Sequence, residues 1–266
     1  LAEAFRNSLR RRHDVRDERR AALKQDSSGE HVLVIGGSSG MGLALAARLL
    51  DQGGEVTIVG RSPDRLAQAC GRLGNSAGLR SVAADVTDEA AVARLFGSVG
   101  ELAHIVSTAA DVGGVYVPLQ EMDAAIARRV IDSKVMAPIL IAKQGAATLA
   151  KGASITFTSG IAAYRPTAKG SVVAAINGAI ESLVYALAVE LAPIRVNAVS
   201  PGWVDTPIWT SVAGAAKTDM LAAMAKRLPV GRVGEPDDIA QAIEAIMRNG
   251  FISGSVVHVD GGQRLV

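Results

Sequence analysis

The stretch "HVLVIGGSSGMGLALAARLLDQGG", residues 31–54, constrains the fold more than any other part of the chain. Four apolar residues run unbroken into a glycine-rich turn. The residues after the turn recur at helical spacing until paired glycines stop them. A strand apolar on both faces belongs inside a parallel sheet, and a helix must cross back over that sheet before the next strand begins. The unit then repeats. "EVTIVGR", "LRSVAADV", "LAHIVSTAA", "ASITFTSG", "IRVNAVSPG" and "GSVVHVDGG" read as further strands, with helical segments between them. Two of those helices are long, over about 121–150 and 171–191. The fold class is α/β, a doubly wound parallel sheet with helices on both faces.

The turn "IGGSSGMG" carries the first chemistry. Gly36, Gly40 and Gly42 let backbone approach a pyrophosphate, and the following helix offers free N–H groups and a partial positive charge. Ser38 and Ser39 add hydroxyl donors. The end of the second strand selects the dinucleotide. An acid there would hold the 2′-hydroxyl of NAD, but the sequence has Gly60-Arg61. Arg61 suits a 2′-phosphate, and no acid at this strand end repels it, so the expected cofactor is NADP(H).

Composition limits the alternatives. Residues 1–30 hold eight Lys/Arg and six Asp/Glu, so the remaining residues balance at twenty of each. A neutral body argues against nucleic acid as a partner. The charged arm is expected to be a helical extension of mixed charge, and the domain is placed at 31–266. Outside the arm no uninterrupted apolar run reaches the ~18 residues of a membrane span, so no membrane partner is expected. One cysteine, Cys70, rules out an internal disulfide framework and fits a reducing, cytoplasmic setting. The four histidines are scattered, and no metal spacing is present.

Over residues 31–263 the chain resembles the short-chain dehydrogenases/reductases of single-domain type. The motifs that carry this are "GGSSGMG", "AADVTD", "LAVELAPIRVNAVSPGWVDTP" and "LPVGRVGEPDDIAQAI…ISGSVVHVDGG". The resemblance implies a Rossmann-type sheet of about seven strands and a homo-oligomer, usually a tetramer. It implies cofactor contacts from the turn with its Met41, from Asp85 and Val86 at the adenine, and from Ala109 after the fourth strand. It also implies nicotinamide contacts from Pro201, Gly202, Val204 and Thr206.

The catalytic set departs from the family pattern of Asn, Ser and Tyr-x-x-x-Lys. The Tyr slot falls on Val173, the Lys slot on Asn177 and the Asn slot on Lys134, with Ser159 in the serine slot. Lys and Asn are exchanged as in the ketoreductase domains of modular polyketide synthases. Carbonyl reduction needs a proton on oxygen as well as hydride on carbon, and the usual phenol is gone. Tyr164, Lys134, or a water held by Ser159 and Asn177 are the candidate sources. The region from Trp203 and Trp209 to Met220 and Met224 would cover an apolar or aromatic small molecule. The expected function is an NADPH-dependent reductase of a carbonyl or related C=X substrate with a non-standard proton donor. The alternatives are a cofactor-binding sensor or partner subunit, and a lyase or cyclase on the same scaffold.

Overall fold

The computed structural model describes residues 29–266. All but the last two residues of the expected N-terminal extension lie outside the described residues. Seven strands form one parallel sheet: β1 (His31–Ile35), β2 (Glu55–Gly60), β3 (Leu79–Ala83), β4 (Leu102–Ser107), β5 (Leu149–Thr158), β6 (Arg195–Pro201) and β7 (Val256–Val259). Their order is β3-β2-β1-β4-β5-β6-β7. The order reverses between β1 and β4, and a doubly wound sheet opens its ligand crevice at the carboxyl ends of such a pair.

The helices are α1 (Gly40–Asp51), α2 (Pro63–Arg72), α3 (Glu89–Val99), α4 (Ala124–Ile131), α5 (Ala137–Gly145), α6 (Ser171–Glu190), α7 (Ile208–Ala213), α8 (Lys217–Ala225) and α9 (Pro236–Arg248). Their starts are written locally. Ser62 accepts from the Arg65 N–H at 3.3 Å, Asp88 from Ala90 at 2.9 Å and Asp123 from Ala125 at 2.7 Å. Each cap satisfies a donor that the helix itself leaves unpaired.

Alternation along β1 divides the core between the two faces of the sheet. Val32 and Val34 pack with Leu45 and Leu49 of α1 and Ile239 and Ile243 of α9. Leu33 and Ile35 pack with Phe96 of α3, Ile141 of α5 and Ile180 and Val184 of α6. By length and composition alone, α6 is apolar enough to cross a membrane. Asn177 and Glu181 interrupt its apolar run. Here Val173, Ile176, Ile180 and Val184 are buried, and the helix lies against the sheet.

The long helix expected over 121–150 is not one regular helix. Residues Asp132–Met136 form a π turn between α4 and α5, with the Ala137 N–H reaching back to the Asp132 carbonyl. Pro138 supplies a physical reason. It has no N–H to give the Lys134 carbonyl, and its ring would crowd that carbonyl in a regular helix. The helix also ends earlier than expected, because β5 begins at Leu149.

Candidate active site

The nucleotide end is built by close backbone approach. A Cβ on Gly36, whose φ is +87°, would lie 2.7 Å from the Ala109 nitrogen, and one on Gly42 would lie 2.5 Å from the Gly36 carbonyl oxygen. Only glycine lets the turn, the first residues of α1 and the end of β4 converge in this way. A Cβ on Gly40 would touch the Thr206 methyl at 3.5 Å, so the turn after β6 reaches the same place. Pro201 ends β6, Gly202 lies against Asp260, and Val204 bridges to Gly234. No acid occupies the first turn of α1. This cradle of bare backbone at a helix N-terminus fits a pyrophosphate.

Of the two residues expected at the adenine, Val86 is buried. The Asp85 carboxylate accepts from the Thr87 N–H and hydroxyl at 3.0 and 2.8 Å, which fixes the loop rather than leaving the acid free. Arg61 stands at the end of β2 with its side chain 61% exposed. Here the structure corrects the sequence reading. An acid does face Arg61: the Asp111 carboxylate, from the loop after β4, lies 3.5 Å from its guanidinium. Strand-end inspection missed it because its loop joins the site only through the fold.

At the reacting end, Lys134 is buried in the π turn. Its ammonium donates to the Thr158 carbonyl at 2.5 Å, with the Ser159 carbonyl at 3.5 Å. Burial pulls its pKa down to about 8. Asn177 is buried one turn beyond Val173. Val173 packs with Val112, Val115, Val130 and Ile176, and Tyr116 and Ile208 lie against that cluster.

Two expected residues are redirected. The Ser159 hydroxyl donates to Glu181 Oε1 at 2.7 Å and approaches the Asn177 carbonyl at 3.1 Å. The Tyr164 hydroxyl donates to Glu181 Oε2 at 2.5 Å. Glu181 lies eight residues beyond Val173, about 12 Å along the helix. Both hydroxyls are therefore committed away from the empty phenol position. Burial and the bond to Glu181 push the Tyr164 hydroxyl well above the usual tyrosine range, so it is a poor acid. His258 packs edge-on against Tyr164 with ring centroids 4.5 Å apart.

The residue that faces Asn177 is Gly160. A Cβ there would lie 2.8 Å from Asn177 Nδ2. The site thus lacks a serine-type hydroxyl as well as the phenol. Sequence reasoning missed Glu181, since an acid on a helix ordinarily reads as solvated. It also missed Tyr116, which stands in a loop with no motif. Burial pushes the Tyr116 hydroxyl up, so Tyr116 holds its proton more tightly than Lys134 does. Trp203 and Trp209 stack on each other at 4.3 Å and 4°, with the Trp209 indole N–H on the Val204 carbonyl.

Comparison with known proteins agrees with this fold. The family described as Enoyl-(Acyl carrier protein) reductase matches residues 36–264. The short-chain dehydrogenase/reductase malC of Malbranchea aurantiaca is 33% identical over 252 residues, 89% of this chain and 95% of its own length. The solved structure of MalC Reductase/Diels-Alderase superposes with a TM-score of 0.84 at 32% identity, covering 91% of this chain and 99% of that one. The cis-4-hydroxycyclohexanecarboxylate dehydrogenase of Sinomonas cyclohexanicum is 34% identical over 254 residues, 91% and 99% of the two chains. A small-chain dehydrogenase solved in complex with NADPH gives a TM-score of 0.77 at 33% identity, covering 89% and 99%. With a glycine cradle at the switch point of a seven-stranded sheet and relatives matched over nearly their whole length, this chain belongs to the short-chain dehydrogenases/reductases.

Proposed function

We propose that the protein is an NADP(H)-dependent oxidoreductase of a small carbonyl-type molecule in which Lys134 moves the proton. The cofactor would lie on the Gly36–Gly42 cradle with its 2′-phosphate at Arg61, and it supplies hydride when bound. Support for the phosphorylated dinucleotide comes from Arg61 and from the relative solved with NADPH. In the reducing direction the carbonyl carbon gains hydride and the oxygen gains a proton. Lys134 passes from ammonium to amine as it gives that proton, then regains one from solvent.

The observation that carries this reading is the placement of Lys134. It is a buried ammonium on the Thr158 carbonyl with the Ser159 carbonyl at 3.5 Å, and the next residue, Gly160, faces Asn177 where both usual hydroxyls are missing. A pKa near 8 keeps it largely charged at neutral pH and still able to donate. The test is NADPH oxidation with a panel of activated ketones, comparing the parent with Lys134→Met. Loss of turnover with intact NADPH binding supports the assignment, and unchanged turnover refutes it.

A second reading is ring closure without net electron transfer. It is favoured by the apolar cluster in which Val173 packs and by the relative described as a Reductase/Diels-Alderase. Product formed with no absorbance change at 340 nm would establish it. We also infer self-association through α6, where Tyr185 and Val189 stand 50% and 81% exposed. Light scattering of the full chain tests this, and a monomer at micromolar concentration would overturn it.

A further inference from the structure

The Arg61–Asp111 contact is more than a surface ion pair. Arg61 follows β2 and Asp111 follows β4, and β1 lies between those two strands. The pair therefore links the carboxyl ends of the two strands that flank β1. Asp111 is held from several sides. Its carboxylate also lies 3.8 Å from Arg129 Nε of α4 and accepts from the Gly113 N–H at 3.1 Å. Its own N–H donates to the hydroxyl of Ser133, the residue before Lys134. Arg129 in turn donates to the Gly113 carbonyl at 2.7 Å, so a second arginine is fixed beside the same carboxylate.

We propose that Asp111 is a specificity-determining residue for the dinucleotide, a counter-ion that holds Arg61 until a 2′-phosphate takes its place. This rests on the NADP(H) reading above. A 2′-phosphate carries more negative charge than a carboxylate and accepts more hydrogen bonds, so it wins Arg61. Asp111 then keeps Arg129, which is already within reach. The phosphorylated dinucleotide gains its contact with Arg61 minus the lost Asp111 contact and minus the repulsion between carboxylate and phosphate. An unphosphorylated dinucleotide forces no such exchange. The aspartate thus lowers the margin by which NADP(H) outcompetes NAD(H) and keeps the phosphorylated cofactor from binding too tightly to leave.

The test is calorimetric titration of the full chain with NADPH and with NADH. Asp111→Asn keeps an acceptor for the Gly113 N–H and removes the charge. The ratio of the NADH to the NADPH dissociation constant should rise about five- to tenfold, the scale of one partly exposed ion pair plus a relieved repulsion. Arg129→Gln keeps a donor for Gly113 and removes the alternative partner, so it should lower the ratio. Arg61→Ala should bring the ratio close to one.

Each outcome has a separate meaning. If Arg61→Ala leaves the ratio unchanged, Arg61 does not read a phosphate and the cofactor assignment through it fails. If Arg61→Ala collapses the ratio but Asp111→Asn leaves it unchanged or lowers it, the role of Asp111 alone is overturned. Should Asp111→Asn fail to fold by circular dichroism, Arg129→Gln decides: a ratio that holds or rises refutes the exchange.

Discussion

Lys134→Met separates a catalytic lysine from a bracing one, because the two roles move stability in opposite directions. Lys134 is 6% exposed, and burial takes it from 10.5 to about 8. At about 1.4 kcal/mol per pH unit, holding that charge in the folded protein costs about 3 kcal/mol at pH 7. Between pH 8 and 10.5 the unfolded chain still binds a proton that the native state has released. Stability therefore rises with pH across that window, and the full cost is present below it. Methionine removes the cost but leaves the Thr158 carbonyl without its ammonium, a loss of about 1–3 kcal/mol. The variant should be as stable as the parent at pH 7, or up to about 2 kcal/mol more stable, and its rise between pH 8 and 10.5 should shrink. Ketone reduction should fall by about 10²–10⁴-fold, the usual worth of a positioned acid. Urea unfolding from pH 6.5 to 10.5, together with NADPH oxidation at 340 nm, reads both. A variant that loses more than about 2 kcal/mol at pH 7 and keeps its turnover within tenfold would refute the reasoning and make Lys134 a brace.

Four further outcomes follow from the same geometry. Reduction should weaken as pH rises through about 8, where Lys134 loses its proton, while alcohol oxidation should strengthen; initial rates in both directions check this. Tyr164→Phe and Tyr116→Phe should each change turnover by less than about threefold, since one hydroxyl serves Glu181 and the other binds its proton more tightly; a larger loss in steady-state kinetics would move the acid to that residue. Gly160→Ser with Val173→Tyr should raise ketone reduction at least about tenfold in a folded variant, at a packing cost of about 1–3 kcal/mol measured by melting. The nearest atoms a Cβ at position 160 would meet all belong to the Asn177 side chain, which must shift to admit it. Arg61→Asp should weaken NADPH binding more than tenfold, by about 2 kcal/mol, with NADH spared, as read by calorimetry.

The seven strands were legible as short apolar runs that stop at turn residues; β1, β2, β4, β5 and β6 are buried on both faces, while the edge strands β3 and β7 are not. The cofactor cradle was legible because glycine is the only residue that permits that approach, so its chemistry is written locally. Ser159 shows where such reading stops. It stands one residue past the end of β5, and alternation gives neighbouring residues opposite directions. A slot count that is one residue out puts the hydroxyl on the wrong side, and the structure gives the inward position to Gly160. Glu181 and Asp111 were illegible for a different reason. Each acquires its meaning from loops that are remote in sequence, residues 159–164 for Glu181 and the end of β2 for Asp111. Lys134 could be named as a candidate from its slot alone, but its burial within a π turn is something helical periodicity does not reveal.

That turn makes the lysine's aim a property of the main chain. Each residue of a regular helix turns the next by about 100°, and the additional residue of a π turn offsets everything on one side of it by about that angle. A lysine transplanted to the same position of a scaffold with a regular helix would therefore face a different neighbour, however faithfully the surrounding side chains were copied. Conversely, deleting Val135 would shift Lys134 by about that angle relative to α5 while leaving every polar group in the sequence. Pro138, which carries no functional group, acts as the sight by which the ammonium is aligned.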